Sequence, residues 1–264
     1  MSKLTEPENW RFVKFGLLVT GVGEQTILPS LLRALCTSGH GTFQVIRKIG
    51  QRSPITSRRR ELRMVGSGKQ IPDRDAEEIG FPARAFLRES ESRFVLLVDD
   101  LEHSRDEQRS EVFGRYRRTL DSILGDVKWR AGVFFLVNML EAYYFADTAA
   151  IIAVLGPPPT PLEDWPGDVE LISHPKNKLS EIFPFFNEVT HGASIVGRLD
   201  IEKVLGRMDT CASLRTLFAW CSIAMMETDQ NQFCLSNGIY CGTTGRQLAS
   251  LTRISTSRGG FANG

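Results

Sequence analysis

The nine residues Val95–His103, VLLVDDLEH, decide how the chain is read. With Phe94 before them they form a continuous apolar run that stops abruptly in acid. A strand that is apolar on both faces belongs inside a parallel sheet, with helices covering both sides. Ending that strand in Asp99 and Asp100, with Glu102 just beyond, puts carboxylates at the sheet edge.

The same unit recurs on either side. FVKFGLLVT (Phe12–Thr20) is a β-type run that breaks at Gly21 and Gly23. Ile27, Leu28, Leu31, Leu32 and Leu35 then follow at helical spacing, giving strand, tight turn and helix. A second strand is expected at Phe43–Ile49 and a helix from Asp75 to Arg88. A polar helix over Glu107–Leu124 carries Val112, Phe113, Tyr116, Leu120 and Ile123 on one face. Gly132–Val137 reads as a further strand, leading into a helix over Asn138–Leu155. This alternation predicts an α/β fold with a mostly parallel sheet and helices on both faces. Right-handed crossovers place every strand-to-helix turn on one sheet edge, the edge where open α/β sheets hold ligands.

Two stretches interrupt the pattern. Residues 51–74 are rich in Arg, Ser, Gly and Pro, with a short hairpin expected through Leu62–Val65. Their basic residues are Arg52, Arg58, Arg59, Arg60, Arg63, Lys69 and Arg74. Within them GSGKQ (Gly66–Gln70) has the look of a phosphate loop. Arg63 stands where that loop needs glycine and Gln70 where it needs Ser or Thr, so a nucleotide site is rejected. Gly156–Asp168 is a proline-rich break, followed by short helices expected at Leu179–Phe185, Leu199–Leu205 and Ser213–Met226. The expected organisation is an α/β domain over 10–156 with a basic insertion at 50–75, a helical cap over 157–227 and a polar tail over 228–264.

Composition sets outer bounds. A hydrophobic share of 42% with 24% charged residues is ordinary for a globular chain and argues against wholesale disorder. The net charge of +1 means that any affinity for nucleic acid must come from local clustering of charge. No apolar run reaches the roughly 18 residues of a membrane helix. The nearest, Gly132–Leu155, is interrupted by Asn138, Glu141 and Asp147. The first residues lack the basic and apolar regions of a signal peptide. The five cysteines (Cys36, Cys211, Cys221, Cys234 and Cys241) include no CxxC pair, which argues against a disulfide framework and a zinc knuckle. A cytoplasmic protein with reduced thiols is expected.

Three strand ends therefore present acids together: Glu24 at the first, Asp99, Asp100 and Glu102 at the central one, and Glu141 at the last. Hard oxygen ligands on one edge suit Mg²⁺ (or Mn²⁺), which typically takes one or two carboxylates plus substrate phosphates. Such an ion neutralises phosphate charge and activates water. Acids also occupy helix starts for purely structural reasons. Three strand ends each contributing one is what favours the functional reading. Glu141 is the most telling, because its apolar surroundings make an unpaired carboxylate expensive.

Taken together, LLVTGVGEQTILPSLLRAL (Leu17–Leu35), VLLVDDLEH, NMLEAYYFAD (Asn138–Asp147) and HPKNKLSEIF (His174–Phe183) resemble successive motifs of a known family. It is the Toprim-like family catalogued as domain of unknown function 4276, related to the Toprim part of the overcoming-lysogenization-defect nucleases. The resemblance spans roughly residues 12–225 and rests on motif order and spacing, since each motif alone is weak. It implies a Toprim fold, Mg²⁺ binding and phosphodiester cleavage. Members commonly occur beside an ABC-type or AAA-type ATPase in bacterial defence against phage, so it also implies an ATPase partner.

Position by position, Thr20 stands where the Toprim pattern has a glutamate directly before the first glycine, and Glu24 matches a second acid of that turn. The Asp-x-Asp pair of the pattern corresponds either to Asp99 with a displaced partner or to Asp100 with Glu102. Glu141 and Asp147 match a Glu-Ala-x-x-x-Ala-Asp segment, and His174, Lys176 and Lys178 a His-Pro-Lys segment. The implied roles are metal ligation by Asp99, Asp100 or Glu102, a base or second ligand at Glu24, and a ligand or water-positioning group at Glu141. Arg52, Arg58, Arg59, Arg60, Arg63 and Lys176 would follow a DNA or RNA backbone. Thr20 leaves open a catalytically silent subunit that binds the ATPase, and a phosphohydrolase of nucleotides would use the same carboxylates.

Overall fold

Strand β1 (Val13–Val19) leads through Thr20 and Gly21 into α1 (Val22–Leu31), which tightens into a 3₁₀ segment at Leu32–Cys36. Strand β2 (Gly41–Lys48) then returns beside β1. In this computed structural model the described residues are 12–36, 41–54, 62–65, 69–101, 103–207, 209–225, 235–236 and 239–240. The basic insertion holds an antiparallel hairpin, β3 (Leu62–Val65) and β4 (Lys69–Pro72), as its sequence suggests. A helical stretch follows: α2 (Asp73–Asp75), a π turn at Ala76–Gly80, and α3 (Phe81–Arg88). After β5 (Arg93–Leu101) come a 3₁₀ segment at His103–Gln108, α4 (Arg109–Leu124) and β6 (Ala131–Val137). The C-terminal part consists of a 3₁₀ segment at Leu140–Ala146, α5 (Thr148–Leu155), α6 (Pro175–Ile182), α7 (Glu188–Val196), α8 (Ile201–Gly206) and α9 (Ala212–Ala224). Two short strands, β7 (Leu235–Ser236) and β8 (Ile239–Tyr240), pair antiparallel where a plain polar tail is expected from sequence.

The fold is α/β, with a four-stranded sheet in the order β2-β1-β5-β6 and all neighbours parallel. From β1 the chain builds β2 on one side and later β5 on the other. The order thus reverses between β1 and β5, the point at which open α/β sheets take ligands.

Period-two alternation divides the strands between two apolar layers. Phe15, Leu17, Val19, Phe94, Leu96, Val98, Phe134 and Leu136 face α1 and the C-terminal helices. Leu18, Val95, Leu97, Val133 and Phe135 face α3 and α4. Trp220 of α9 is fully buried, with its ring 5.9 Å from Phe94 and 5.7 Å from Phe134. The last long helix therefore packs directly into the sheet's core. Gly16 is needed where α3 crosses, because a Cβ there would lie 2.8 Å from the Phe86 ring.

Three local features differ from the sequence reading. β5 continues through Asp99, Asp100 and Leu101, which pair with Phe135, Leu136 and Val137 of β6, so both aspartates sit inside the strand. The helix expected over Asn138–Leu155 is split, because Asn138 and Met139 have φ of 57° and 73° and turn the chain sharply at the end of β6. Helix α7 lies where no helix is expected. Among the described residues no helix is long and apolar enough to cross a membrane.

Arg52 is a core cation. Its guanidinium donates from Nε to Asp75 at 2.7 Å and from Nη2 to Glu78 at 2.7 Å. Arg115 of α4 meets the same Asp75 with Nε at 2.6 Å and Nη2 at 2.9 Å. Burying charge this deeply costs several kcal/mol per ion unless each is answered. Burial alone would raise Glu78, but hydrogen bonds from Arg52 and Arg74 outweigh it and hold that carboxyl down at about 2. Arg52 thus ties the start of the basic insertion to α4 and does not face a nucleic-acid backbone. Asp75→Ala would leave two buried guanidiniums without their shared anion. It should lower the unfolding free energy by about 3–5 kcal/mol in urea titrations.

Candidate carboxylate site at the strand ends

Glu24 is placed by the turn after β1. Gly21 is the N-cap of α1, which makes Glu24 the third helical residue, the position from which a glutamate reaches back to the N-cap amide. Its carboxylate accepts from the backbone N–H groups of Gly21 and of Glu24 itself. It folds so closely over Gly21 that a Cβ there would lie 2.0 Å from Oε2. Glu24 is only 5% exposed, and Oε2 has no hydrogen-bond partner. Burial raises its pKa, and the charges of Asp99 and Glu188 raise it further. Capping alone leaves that second oxygen unexplained.

Glu141 reaches the same region from β6. Met139 has φ 73° and ψ 160°, a conformation that is otherwise almost confined to glycine and costs roughly 1–3 kcal/mol. The strain is held by Asn138, whose N–H donates to Leu101 O at 2.9 Å and whose Nδ2 donates to Glu170 O at 2.7 Å. This bend drops Glu141 into the first turn of the 3₁₀ segment, 3% exposed, with Oε1 lacking a partner. Burial pushes its carboxyl up to about 7. Glu188 and Glu24 add to that push, while Lys176 and a backbone amide oppose it. The Tyr144 hydroxyl, buried and without a hydrogen-bond partner, is close enough to feel both Glu141 and Glu188.

Helix α7 completes the group. Glu188 Oε1 lies 2.7 Å from where a Gly23 Cβ would be, so the first turns of α1 and α7 touch through a glycine. Glu188 is paired with Lys176 of α6, which also senses the charge of Glu141. Neither Glu188 nor Tyr144 is singled out by sequence. Tyr144 sits in NMLEAYYFAD, a usable hint, whereas Glu188 lies in a helix that its sequence does not announce.

Asp99 is near this group but engaged elsewhere. It is fully buried, accepts from the Tyr116 hydroxyl at 2.9 Å, and is bracketed by Arg105 at 3.1 and 3.4 Å. The Asp100 backbone N–H donates to Thr20 Oγ1 at 3.3 Å, which ties β5 to the turn after β1. Asp147 pairs with Lys203 at 2.7 Å and accepts from the Asp200 N–H, so it anchors α8. Lys176 stands at the acids, with its side chain 45% exposed. Glu102, Arg58, Arg59 and Arg60 lie outside the described residues, as does the side chain of Arg63, whose backbone belongs to β3.

Among the described residues no three His, Cys, Asp or Glu side chains stand together as a preformed metal cage. The donor set nonetheless fits a divalent cation at two members. Glu24 and Glu141 each keep one buried oxygen without a partner, and they lie within reach of each other's charge. Comparison with protein-family models, with curated proteins and with solved structures gives no match.

The Glu141 carboxyl makes the metal-free fold pH-dependent. Neutral Glu141 suits its buried setting, so this stabilisation is whole below about 4.5 and is lost as the pH rises through about 7. With chelator present, Glu141→Gln should stabilise the protein at pH 8 by up to about 3 kcal/mol and by almost nothing at pH 4.5. Urea titrations at the two pH values read the difference. Gly21 has an extended backbone (φ −116°) that alanine tolerates, so Gly21→Ala should leave stability within about 1 kcal/mol of wild type. Its methyl group should expel the Glu24 carboxylate, seen by NMR titration as a return of the Glu24 pKa toward the ordinary carboxylate range.

Proposed function

We propose that Glu24 and Glu141 hold a divalent cation, Mg²⁺ or Mn²⁺, and that the protein is a metal-dependent hydrolase of nucleic-acid phosphodiesters. The observation that carries this is the pair of buried carboxylates from two strand ends, each with an orphaned oxygen, beside the half-exposed Lys176. A bound ion would neutralise charge on the scissile phosphate and activate water. Lys176, paired with Glu188, would meet a phosphate oxygen beside the acids. Arg58, Arg59, Arg60 and Arg63 supply the positive tract along which a DNA or RNA backbone would run. Arg52 is left out of that tract, being committed to Asp75 and Glu78. A cytoplasmic setting, anti-phage defence and a partnership with an ABC-type or AAA-type ATPase follow from the Toprim-like resemblance and belong to the same proposal.

One observation favours a second reading. The Thr20 hydroxyl occupies the position of an expected acid and accepts the Asp100 amide, and Asp99 is already paired with Arg105 and Tyr116. A subunit that has given up catalysis and serves its ATPase partner would have these features.

The test is cleavage of single- and double-stranded DNA and RNA with Mg²⁺ or Mn²⁺, paired with Mn²⁺ titration. Glu24→Gln and Glu141→Gln should each bind Mn²⁺ more weakly and lower the cleavage rate more than about 100-fold, beyond what a residue that only orients a ligand costs. Cleavage unchanged in both folded variants would sink the hydrolase assignment. A folded wild-type protein with neither a specific Mn²⁺ site nor cleavage would establish the silent subunit instead.

A further inference from the structure

We propose that Asp99 is a positioning residue for the basic insertion: through Tyr116 and Arg105 it fixes the Arg52 backbone, and with it the direction in which the insertion leaves the sheet to meet nucleic acid. This rests on the nucleic-acid part of the reading above and involves no metal.

The excursion between β2 and α2 stands on a closed stem. Residues 50–53 form its outgoing side, and Asp75 and Glu78 stand on its return side. Arg52 joins the two, with Nε on Asp75 and Nη2 on Glu78, both at 2.7 Å, and Nη1 on Gly50 O at 2.6 Å. Arg115 of α4 grips the same Asp75 and donates from Nη1 to Ser53 O at 2.7 Å. These bonds close the stem and join it to α4. A separate set joins it to β5.

That second set converges on one oxygen. The Arg52 N–H donates to the Tyr116 hydroxyl at 3.2 Å, and that hydroxyl donates to Asp99 Oδ2 at 2.9 Å. The Arg52 carbonyl accepts from Arg105 Nη2 at 2.8 Å, and the same nitrogen reaches Asp99 Oδ2 at 3.1 Å. Both polar groups of the Arg52 backbone are thus held by side chains that meet at Asp99. Gln51 adds a neighbouring tie, from Nε2 to Asp100 O at 3.2 Å. Asp99 itself is fully buried and pairs with Phe135 of β6, so it offers the stem a fixed point.

The carboxylate sets the direction of these bonds. A tyrosine hydroxyl has one proton to give, whereas an ionised carboxylate only accepts. While Asp99 takes that proton, the lone pairs of the hydroxyl are left for the Arg52 N–H. Remove the carboxylate, and the hydroxyl can turn its proton elsewhere while Arg105 loses its counter-charge. Links that share one oxygen behave as a unit, so losses at Asp99 and Tyr116 should not add. A segment already held in its binding direction also has less freedom to lose when it binds. Loosening the stem should therefore weaken nucleic-acid binding in a protein that remains folded.

The test is run in chelator, so that no effect passes through a metal. Wild type, Asp99→Asn, Tyr116→Phe and the double variant are compared as full chains. Amide hydrogen exchange is read by NMR, and binding by fluorescence anisotropy with labelled single- and double-stranded DNA and RNA. In each single variant the Arg52 amide should speed up at least about tenfold more than the Leu17 amide of β1. The Kd for the nucleic acid that wild type binds should rise about tenfold in each, and no further in the double variant. Tyr116→Phe removes only a hydroxyl, which keeps the test decisive should Asp99→Asn not fold. Arg52 exchange that rises only in step with Leu17 would mark Asp99 as structural and overturn the inference. So would a wild-type Kd in the folded variants, or losses that add, and in both cases the nucleic-acid reading stands. If wild type binds none of the four nucleic acids, that reading falls and takes this inference with it.

Discussion

Burying a carboxylate is among the most expensive things a fold can do, and the C-terminal edge of this sheet is organised by how each buried acid is answered. Asp75 is answered by two arginines, Asp99 by Arg105 and Tyr116, and Asp147 by Lys203 and a helix-start amide. Glu24 and Glu141 are answered only in part. The contrast separates scaffold from site: a fully matched ion holds elements together, and an incompletely matched one leaves capacity for a ligand.

Topology makes the contrast possible. The strand order reverses between β1 and β5, so the turn carrying Glu24 lies beside the part of β5 that carries Asp99 and Asp100. The strained bend at Asn138 and Met139 brings Glu141 in from β6, and α7 sets Glu188 against Gly23. The bend at Met139 turns the chain so that Leu140, Tyr143, Tyr144 and Phe145 enter the core. It also buries an acid where three other charges can feel it.

The basic insertion is divided in the same way. Arg52 at its start faces inward and welds the insertion to α4, and its backbone carbonyl also receives Arg105. The segment preceding the Arg58–Arg60 run is thereby connected through one guanidinium to Asp99. Composition alone cannot distinguish an arginine that meets solvent from one that meets Asp75, because both lie in the same polar stretch.

Sequence by itself determined the parallel α/β sheet. Continuous apolar strands such as Phe94–Val98 and helices with one apolar face leave few other ways to bury their surface. It also located Glu24 just after β1 and Glu141 just after β6, because strand ends and turn glycines are local features, while Asp99 lies within β5. Tertiary structure alone decided which of those acids remain uncompensated. Arg105 and Tyr116 reach Asp99 from 6 and 17 residues away, Glu188 approaches Gly23 from a helix with no clear sequence signal, and Arg52 finds Asp75 across a hairpin. Charge compensation is a pairwise, three-dimensional property of a buried site, and no run of neighbouring residues encodes it.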